Sequence, residues 1–502
     1  MTLTRRPAAI PTVLSLGLLA LYLAFLTKAY YWDGVVFAQA IEDVAGGFAP
    51  RSSLAHPNHL VYNFVGHFFY RLLRLGADLR AITALQILNC IFSAGSAMIL
   101  FLILRDTLRS HYRAVCLTLL FALSATWWKF STDANAYIPS VFFLLLSFYL
   151  VLPERKPRPL WCALSFFAAM CFHELAVIAF PVFTLGVYLQ DNALPPKRRL
   201  RNAILFTAAS LVLIVAVYAI AFYFATGSFD VARLLHWTAS YSPDADTHFQ
   251  FSSNLAYSLR GQVRLFFGGR LSLLRGLINP GIVLLLALFV LAVLWLLYAV
   301  LANLLTLKQR VRGARLSPQQ KTVLSLALVW VGGYLVFLFF WLPQNTFYRV
   351  FYLPGIPILL GLALTTVPRT ASRRTFATAA FVVATGLANF LFLIYPFAHV
   401  EKYPPLAFAL QVNQEWPRGT VIYYAAQNSD AALVRYFAPG TEWRLLKPEL
   451  PADTGAWLET TAIDRLSATP DGARWLQTHT RPGSLHELNN GAYRIRFIQL
   501  GP

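Results

Sequence analysis

The sequence predicts an all-α polytopic membrane protein. It should have about eleven transmembrane helices, interfacial helices in the first outer loop, and a small α/β domain after the last span. Three observations predict this. Of 502 residues, 57% are hydrophobic and only 13% charged, about half the charged share of ordinary globular chains. Apolar runs close to the roughly 20 residues that cross a bilayer recur from end to end. Lys and Arg gather in the short connections between them. Such a chain cannot cover itself with polar surface, which excludes a disordered protein. It also argues against a nucleic-acid partner, although the net charge of +20 would otherwise point to one.

The apolar runs lie near 10–31, 81–104, 114–127, 137–152, 159–172, 175–189, 202–225, 279–305, 322–342, 350–367 and 376–396. The runs 159–172 and 175–189 also read as two short helices meeting at His173-Glu174. The first run follows Arg5-Arg6 but is too long for a signal-peptide core and has no small-residue cleavage site, so it reads as an uncleaved helix.

Eleven crossings place the chain ends on opposite sides. With the N-terminus cytoplasmic, the cytoplasmic segments are 1–9, 105–113, 153–158, 190–201, 306–321 and 368–375. They hold 20 of the 42 Lys and Arg and only three acids, Asp106, Glu154 and Asp191. The tail 397–502 holds ten basic and ten acidic residues. This is the positive-inside pattern. The expected domains are therefore a membrane domain, 1–396, and an exported α/β domain, 397–502. A bacterial inner membrane fits, as does the lack of any Asn-x-Ser/Thr acceptor. In the tail, Thr420–Ala425 and Tyr493–Leu500 read as strands by their β-branched and aromatic content, and 455–478 has helical spacing. Cys90, Cys116, Cys162 and Cys171 all fall inside predicted spans and read as small apolar core residues. No Cys/His spacing marks a metal site, so neither metal nor other cofactor is expected, although a divalent metal stays open.

Acids are scarce outside the tail. Asp33, in YYWDGVVFAQAIED, follows the first span beside three aromatic residues. It reads either as a carboxylate with a raised pKa able to act as a base, or as a helix N-cap. Segment 59–75 places Leu60, Val61, Phe64, Val65, Phe68, Phe69, Leu72 and Leu73 on one face, as in a helix lying along a bilayer. His56 and Pro57 mark the turn before it. Asp133 is the one acid of WWKFSTDANAY, residues 127–137, and is either a site acid or a turn former. His173 and Glu174 are ionisable groups among apolar residues, which makes them a site or a structural pair. Arg260, Arg264, Arg270 and Arg275 in the second large outer loop can bind a lipid phosphate or anchor the loop to headgroups. Arg349, in FYRVFYLPGIP, has the setting of a phosphate clamp.

With these residues, the chain resembles the C-type superfamily of integral-membrane glycosyltransferases, in the branch of protein O-mannosyltransferases, lipid A aminoarabinose transferase and lipopolysaccharide-core sugar transferases. Asp33 directly after the first helix, the HisPro stretch AHPNHLVYNFVGHFFYRLLRLG, Asp133 in the second outer loop and RVFYLPGIP around Arg349 carry the resemblance. It covers 1–396. Two departures stand out. Gly34 follows Asp33 where some members have paired acids, so a partner acid must come from Asp133 or Glu42. His173 stands where many members have Lys.

The resemblance implies inverting transfer of a sugar from a polyprenyl-phosphate donor to a glycan, lipid or protein acceptor at the outer face. Asp33 would be the general base, with Asp133 as second acid. Arg349, supported by His173, Arg260 or Arg264, would hold the leaving phosphate, and His56 and Glu174 would shape the site. The competing reading is a transporter or lipid-linked-sugar flippase. That class usually shows internal repeats and mid-membrane polar breaks, whereas here the unusual polar residues sit at the outer interface.

Overall fold

The computed structural model describes residues 9–153, 155–191, 193–239, 249–306, 315–365, 371–425, 429–447, 453–490 and 493–501. Of the expected cytoplasmic segments, residues 1–8, Glu154, Asn192, 307–314 and 368–370 lie outside them. Contacts divide the chain into two compact units. One comprises Met1–Leu26 and Ala40–Pro396, the other Thr27–Gln39 and Phe397–Pro502. The stretch after the first helix thus groups with the tail rather than with the membrane unit.

The first unit is helical. Among the described residues, five helices are long and apolar enough to cross a membrane: Ala81–Leu108, Pro196–Thr226, Pro280–Ala299, Pro318–Trp341 and Ala377–Phe397. The pair His111–Ala122 and Ala125–Ser131, bent by 69°, makes a sixth if taken as one span. Ala9–Ala24, Tyr137–Leu150, Pro159–Phe172, Glu174–Leu189 and Gly355–Thr365 are shorter apolar helices. The chain is an integral membrane protein.

Two expected spans differ in ways the residues explain. The first helix stops at Ala24 rather than near 31, because Thr27 and Lys28 interrupt the apolar run. There the Lys28 N–H donates to the Phe397 carbonyl at 2.5 Å. The expected span 114–127 bends after Ala122. Ser124 is extended at the start of the next helix, and its hydroxyl donates back to the Phe121 carbonyl at 2.7 Å. A broken helix frees backbone groups that a bilayer cannot satisfy. Asn389, fully buried, meets them. Its amide donates to the carbonyls of Leu123 at 2.8 Å and Phe266 at 2.7 Å, and its oxygen accepts from the Gly268 N–H at 3.1 Å. Gly269 next to it has φ +84°, and a Cβ there would lie 1.8 Å from the Phe392 carbonyl oxygen, so only glycine fits.

The first connecting segment holds the helix Trp32–Ala45, short turns at Arg51–Leu54 and Pro57–His59, and the helix Tyr62–Leu73. The last packs through Tyr62, Asn63, Gly66 and Tyr70. Gly66 matters because a Cβ would meet Leu85 Cδ2 at 2.5 Å. Part of the face read as apolar from the sequence points away from the protein, as a helix lying along a bilayer requires: Phe68 and Leu72 are 69% and 50% exposed. Glu42 pairs with Arg80 at 2.9 Å and accepts from the Ala81 N–H at 2.8 Å, so it caps the helix Ala81–Leu108.

In the second unit a five-stranded sheet has the order β2-β1-β3-β5-β4. Its strands are β1 (Val421–Tyr424), β2 (Glu442–Leu445), β3 (Trp457–Glu459), β4 (His486–Asn490) and β5 (Tyr493–Gln499). β1 is parallel to β2 and β3, while β5 is antiparallel to β3 and β4. Helices Pro404–Glu415, Ser429–Phe437, Thr460–Ser467 and Pro470–His479 complete this unit's α/β architecture. The expected helical segment 455–478 opens as strand β3 and then splits in two. Thr469 caps the second helix, accepting from the Gly472 N–H at 3.2 Å, and Pro470 starts it.

Candidate active site

Asp133 and its turn form a rigid corner of the membrane unit. Asp133 is fully buried. One carboxylate oxygen accepts from Lys129 Nζ at 2.5 Å, the other from the Ala134 N–H at 2.9 Å. Asn89, on the helix Ala81–Leu108, donates to the carbonyls of Asp133 at 2.7 Å and Asn135 at 2.8 Å. Gln86, one turn earlier, donates to the Thr132 carbonyl at 2.9 Å. Asn135 accepts from the N–H groups of Tyr137 and Ile138 and so starts the helix Tyr137–Leu150. A buried carboxylate needs such compensation, since an unpaired one costs several kcal/mol. Lys129 was not singled out from the sequence, although its place four residues before Asp133 on a helical turn is a readable pairing signal.

Tyr137 is the hub beside this corner. Its ring centroid lies 4.9 Å from that of His173, 6.4 Å from His59, 5.7 Å from Tyr348 and 6.1 Å from Phe351. His59 stacks on His56 at 5.1 Å and meets His173 edge-on at 4.7 Å. Three backbone links hold these turns together. The Val61 N–H donates to the Cys171 carbonyl at 3.1 Å, the Tyr334 hydroxyl to the Leu175 carbonyl at 2.9 Å, and the Trp330 indole to the Phe351 carbonyl at 3.0 Å. His173 Nδ1 accepts from the Leu175 N–H at 3.1 Å and caps the short helix Glu174–Ala179. Burial pushes His56 down to about 4. Burial, then His173 and His56, hold His59 well below its ordinary value. Both are uncharged near neutrality.

Arg349 sits in the adjoining turn Phe347–Phe351 and is 1% exposed. Its guanidinium donates to the Pro343 carbonyl at 2.7 Å and to the Tyr352 hydroxyl at 2.9 Å. Gln262 also donates to that hydroxyl, at 2.5 Å. The helix Phe251–Phe266 admits the guanidinium only because residue 261 is glycine: a Cβ there would lie 2.3 Å from Arg349 Nε. Nε has no hydrogen-bond partner, and no carboxylate pairs with Arg349 among the described residues. A buried cation without a counter-charge is costly unless an anion arrives. Neither Gln262, Tyr352 nor Gly261 was marked by the sequence alone; the one available signal was a glycine inside a helical pattern.

Beside the Trp341 ring, which stacks on Tyr348 at 5.5 Å, opens a groove of about 520 Å³. Half-buried Glu174 lines it together with Met170, Ile178, Tyr218 and Phe337. The structure thus gathers His56, Asp133, His173 and the turn carrying Arg349 around Tyr137, with Glu174 in the neighbouring groove. Arg260 and Arg264 are exposed on the helix whose buried side carries Gly261 and Leu265. Asp33 lies in the first turn of Trp32–Ala45, in the part of the chain that groups with the second unit. Neither acid considered as its partner is unengaged, since Glu42 holds Arg80 and Asp133 holds Lys129. Among the described residues no group of three or more His, Cys, Asp or Glu is placed to hold a metal.

No protein-family model and no curated protein sequence matches the chain. Solved structures do. The crystal structure of ArnT from Cupriavidus metallidurans bound to undecaprenyl phosphate superimposes with a TM-score of 0.59, over 98% of this chain and 97% of that one, at 14% identity. The fold is similar to that of ArnT. The apo ArnT structure gives the same score at 13% identity. An Archaeoglobus fulgidus oligosaccharyltransferase tethered to an acceptor peptide gives 0.46 at 10% identity, over 87% of this chain and 63% of that one.

Proposed function

We propose that this protein is a glycosyltransferase that moves a sugar from a polyprenyl-phosphate donor to an acceptor at the outer face of the membrane. The carrying observation is Arg349: buried, held by the Pro343 carbonyl and the Tyr352 hydroxyl, and without a carboxylate partner among the described residues. The likeness in fold to an ArnT crystallised with undecaprenyl phosphate supports a lipid-phosphate donor.

In this reading Asp33 takes the proton from the acceptor hydroxyl. The hydroxyl oxygen attacks the anomeric carbon with inversion, and the bond from that carbon to the phosphate oxygen breaks. Negative charge develops on the departing polyprenyl phosphate, where a fixed cation acts most strongly. Arg349 supplies it. His173 and His56, uncharged, shape the wall with Tyr137. Asp133, locked to Lys129, fixes the turn that presents this wall. Glu174 borders the groove for the donor's first isoprene units. Arg260 and Arg264 meet lipid headgroups.

The bent pair and the five shorter apolar helices, added to the five long ones, give eleven crossings. The N-terminus is then cytoplasmic and the tail lies outside a bacterial inner membrane. The test is donor cleavage. Purified protein in proteoliposomes, given a polyprenyl-phosphate-linked sugar and an envelope glycan fraction, releases free polyprenyl phosphate and a glycosylated product. A donor that is moved across the bilayer uncleaved supports the flippase instead.

A further inference from the structure

The second unit contains a cavity of about 690 Å³ that the transfer chemistry does not use. It opens where β3 and β5 meet at the paired residues Trp457 and Gln499. Ligand pockets commonly span about 300–1,000 Å³ and combine aromatic walls with a few fixed polar groups. This one has Trp416 and Trp457 edge to face at 5.8 Å, with Glu415, Arg444, Asp453 and His486 around them.

The polar groups hold one another in place and keep capacity to spare. Arg444 donates to Asp453 at 2.7 Å and, through a second edge, to Glu442 at 2.9 and 3.0 Å. The Tyr423 hydroxyl donates to the same Asp453 oxygen, while the other Asp453 oxygen has no partner among the described residues. Glu415 accepts from Gln411 and from His486, each at 2.8 Å. Trp457 is half-buried, and its indole N–H has no hydrogen bond among the described residues. At the rim, exposed Thr454 and the glycines 419 and 455, both at φ +86°, leave the entrance open.

The balance of these groups selects a ligand class. Two carboxylates, Glu415 and Asp453, line the cavity beside one guanidinium, Arg444, whose charge Asp453 and Glu442 already offset, so an anion such as phosphate is disfavoured. A lipid chain would strand the exposed charges. A sugar meets both requirements: its C–H face packs on indole, and its hydroxyls donate to carboxylates and accept from indole and guanidinium N–H groups. We propose that this cavity binds a short oligosaccharide, the carbohydrate part of the acceptor; only the word acceptor rests on the function proposed above.

The experiment uses the full chain in nanodiscs and saturation-transfer NMR. The probes are glucose, galactose, mannose and N-acetylglucosamine, with inorganic phosphate and a neutral tripeptide as controls. At least one sugar should receive saturation at its ring C–H protons, with a Kd of about 1 mM. Asp453→Asn should weaken it about tenfold. Thr454→Trp, which fills the cavity from an exposed position and spares the core, should abolish it. Arg349→Lys should leave it unchanged while impairing transfer, so this site and the transfer site fail separately. No saturation of any sugar, an unchanged signal in Thr454→Trp, or displacement by phosphate would overturn the proposal.

Discussion

Replacing Arg349 separates a catalytic cation from a structural one. Arg349→Gln removes the charge and the two hydrogen bonds to Pro343 and Tyr352. Tyr352 keeps its bond from Gln262. Had the guanidinium been placed for stability, its loss would cost about 1.5–3 kcal/mol for each bond made by the charged group. Because no carboxylate offsets the charge among the described residues, removing it also removes a desolvation cost, and an apolar replacement of a buried charge is often neutral or stabilising. The expected result is therefore split. Arg349→Met should unfold in detergent within a few degrees of the parent. Turnover of a polyprenyl-phosphate sugar by Arg349→Gln should fall by about 10²–10³, the usual cost of losing one preorganised group at a developing negative charge. Arg349→Lys keeps the charge but cannot reach both anchors as a planar fork does, so it should lie between parent and Gln. The assay is release of polyprenyl phosphate in proteoliposomes beside a thermal melt of the same preparation. Near-parental turnover in Arg349→Gln, or a large drop in melting temperature with unaltered turnover, would refute the reasoning.

Three further outcomes follow from the geometry. Lys129→Met removes the cation that holds buried Asp133 and should cost about 3–5 kcal/mol; Lys129→Met with Asp133→Asn should recover most of it in a thermal melt. Asn389→Leu leaves two carbonyls and one N–H without their partner at the helix break, at about 1–3 kcal/mol each, so the variant should fail to accumulate while Asn389→Gln retains part of the yield. His56, pushed down to about 4, and His59, lowered by the same burial, favour the neutral form in the fold. Their stabilisation is complete above the unfolded value near 6.5 and is lost as pH falls through the interval down to about 4. A melting temperature that declines across that interval, and less steeply in His56→Gln, is the expected profile.

The spans were legible because hydropathy is set by composition within a window, and the boundaries of 159–172 and 175–189 were close to the final helices for that reason. The 69° bend after Ala122 was not legible. It depends on Asn389, which is distant in sequence and becomes relevant only once the carbonyls of Leu123 and Phe266 are brought to it. The helix Tyr62–Leu73 was legible as amphipathic with its apolar stripe toward the bilayer, but which residues pack on protein was not: these are small or polar ones such as Gly66 and Asn63. The short strands β2 and β3, of four and three residues, carry too few residues for alternation to show. In the site, Asp133 and Arg349 stood out as lone charges in apolar surroundings. Their neighbours Tyr137, Gln262 and Gly261 are ordinary residues whose importance comes from being placed together by separate helices.

The central claim, transfer with Asp33 as base, is tested most directly by one comparison in proteoliposomes. Parent protein and Asp33→Asn, matched for melting temperature, receive the same polyprenyl-phosphate sugar and envelope glycans. The account predicts polyprenyl phosphate and glycosylated product from the parent and neither from Asp33→Asn. Equal product from both would contradict it.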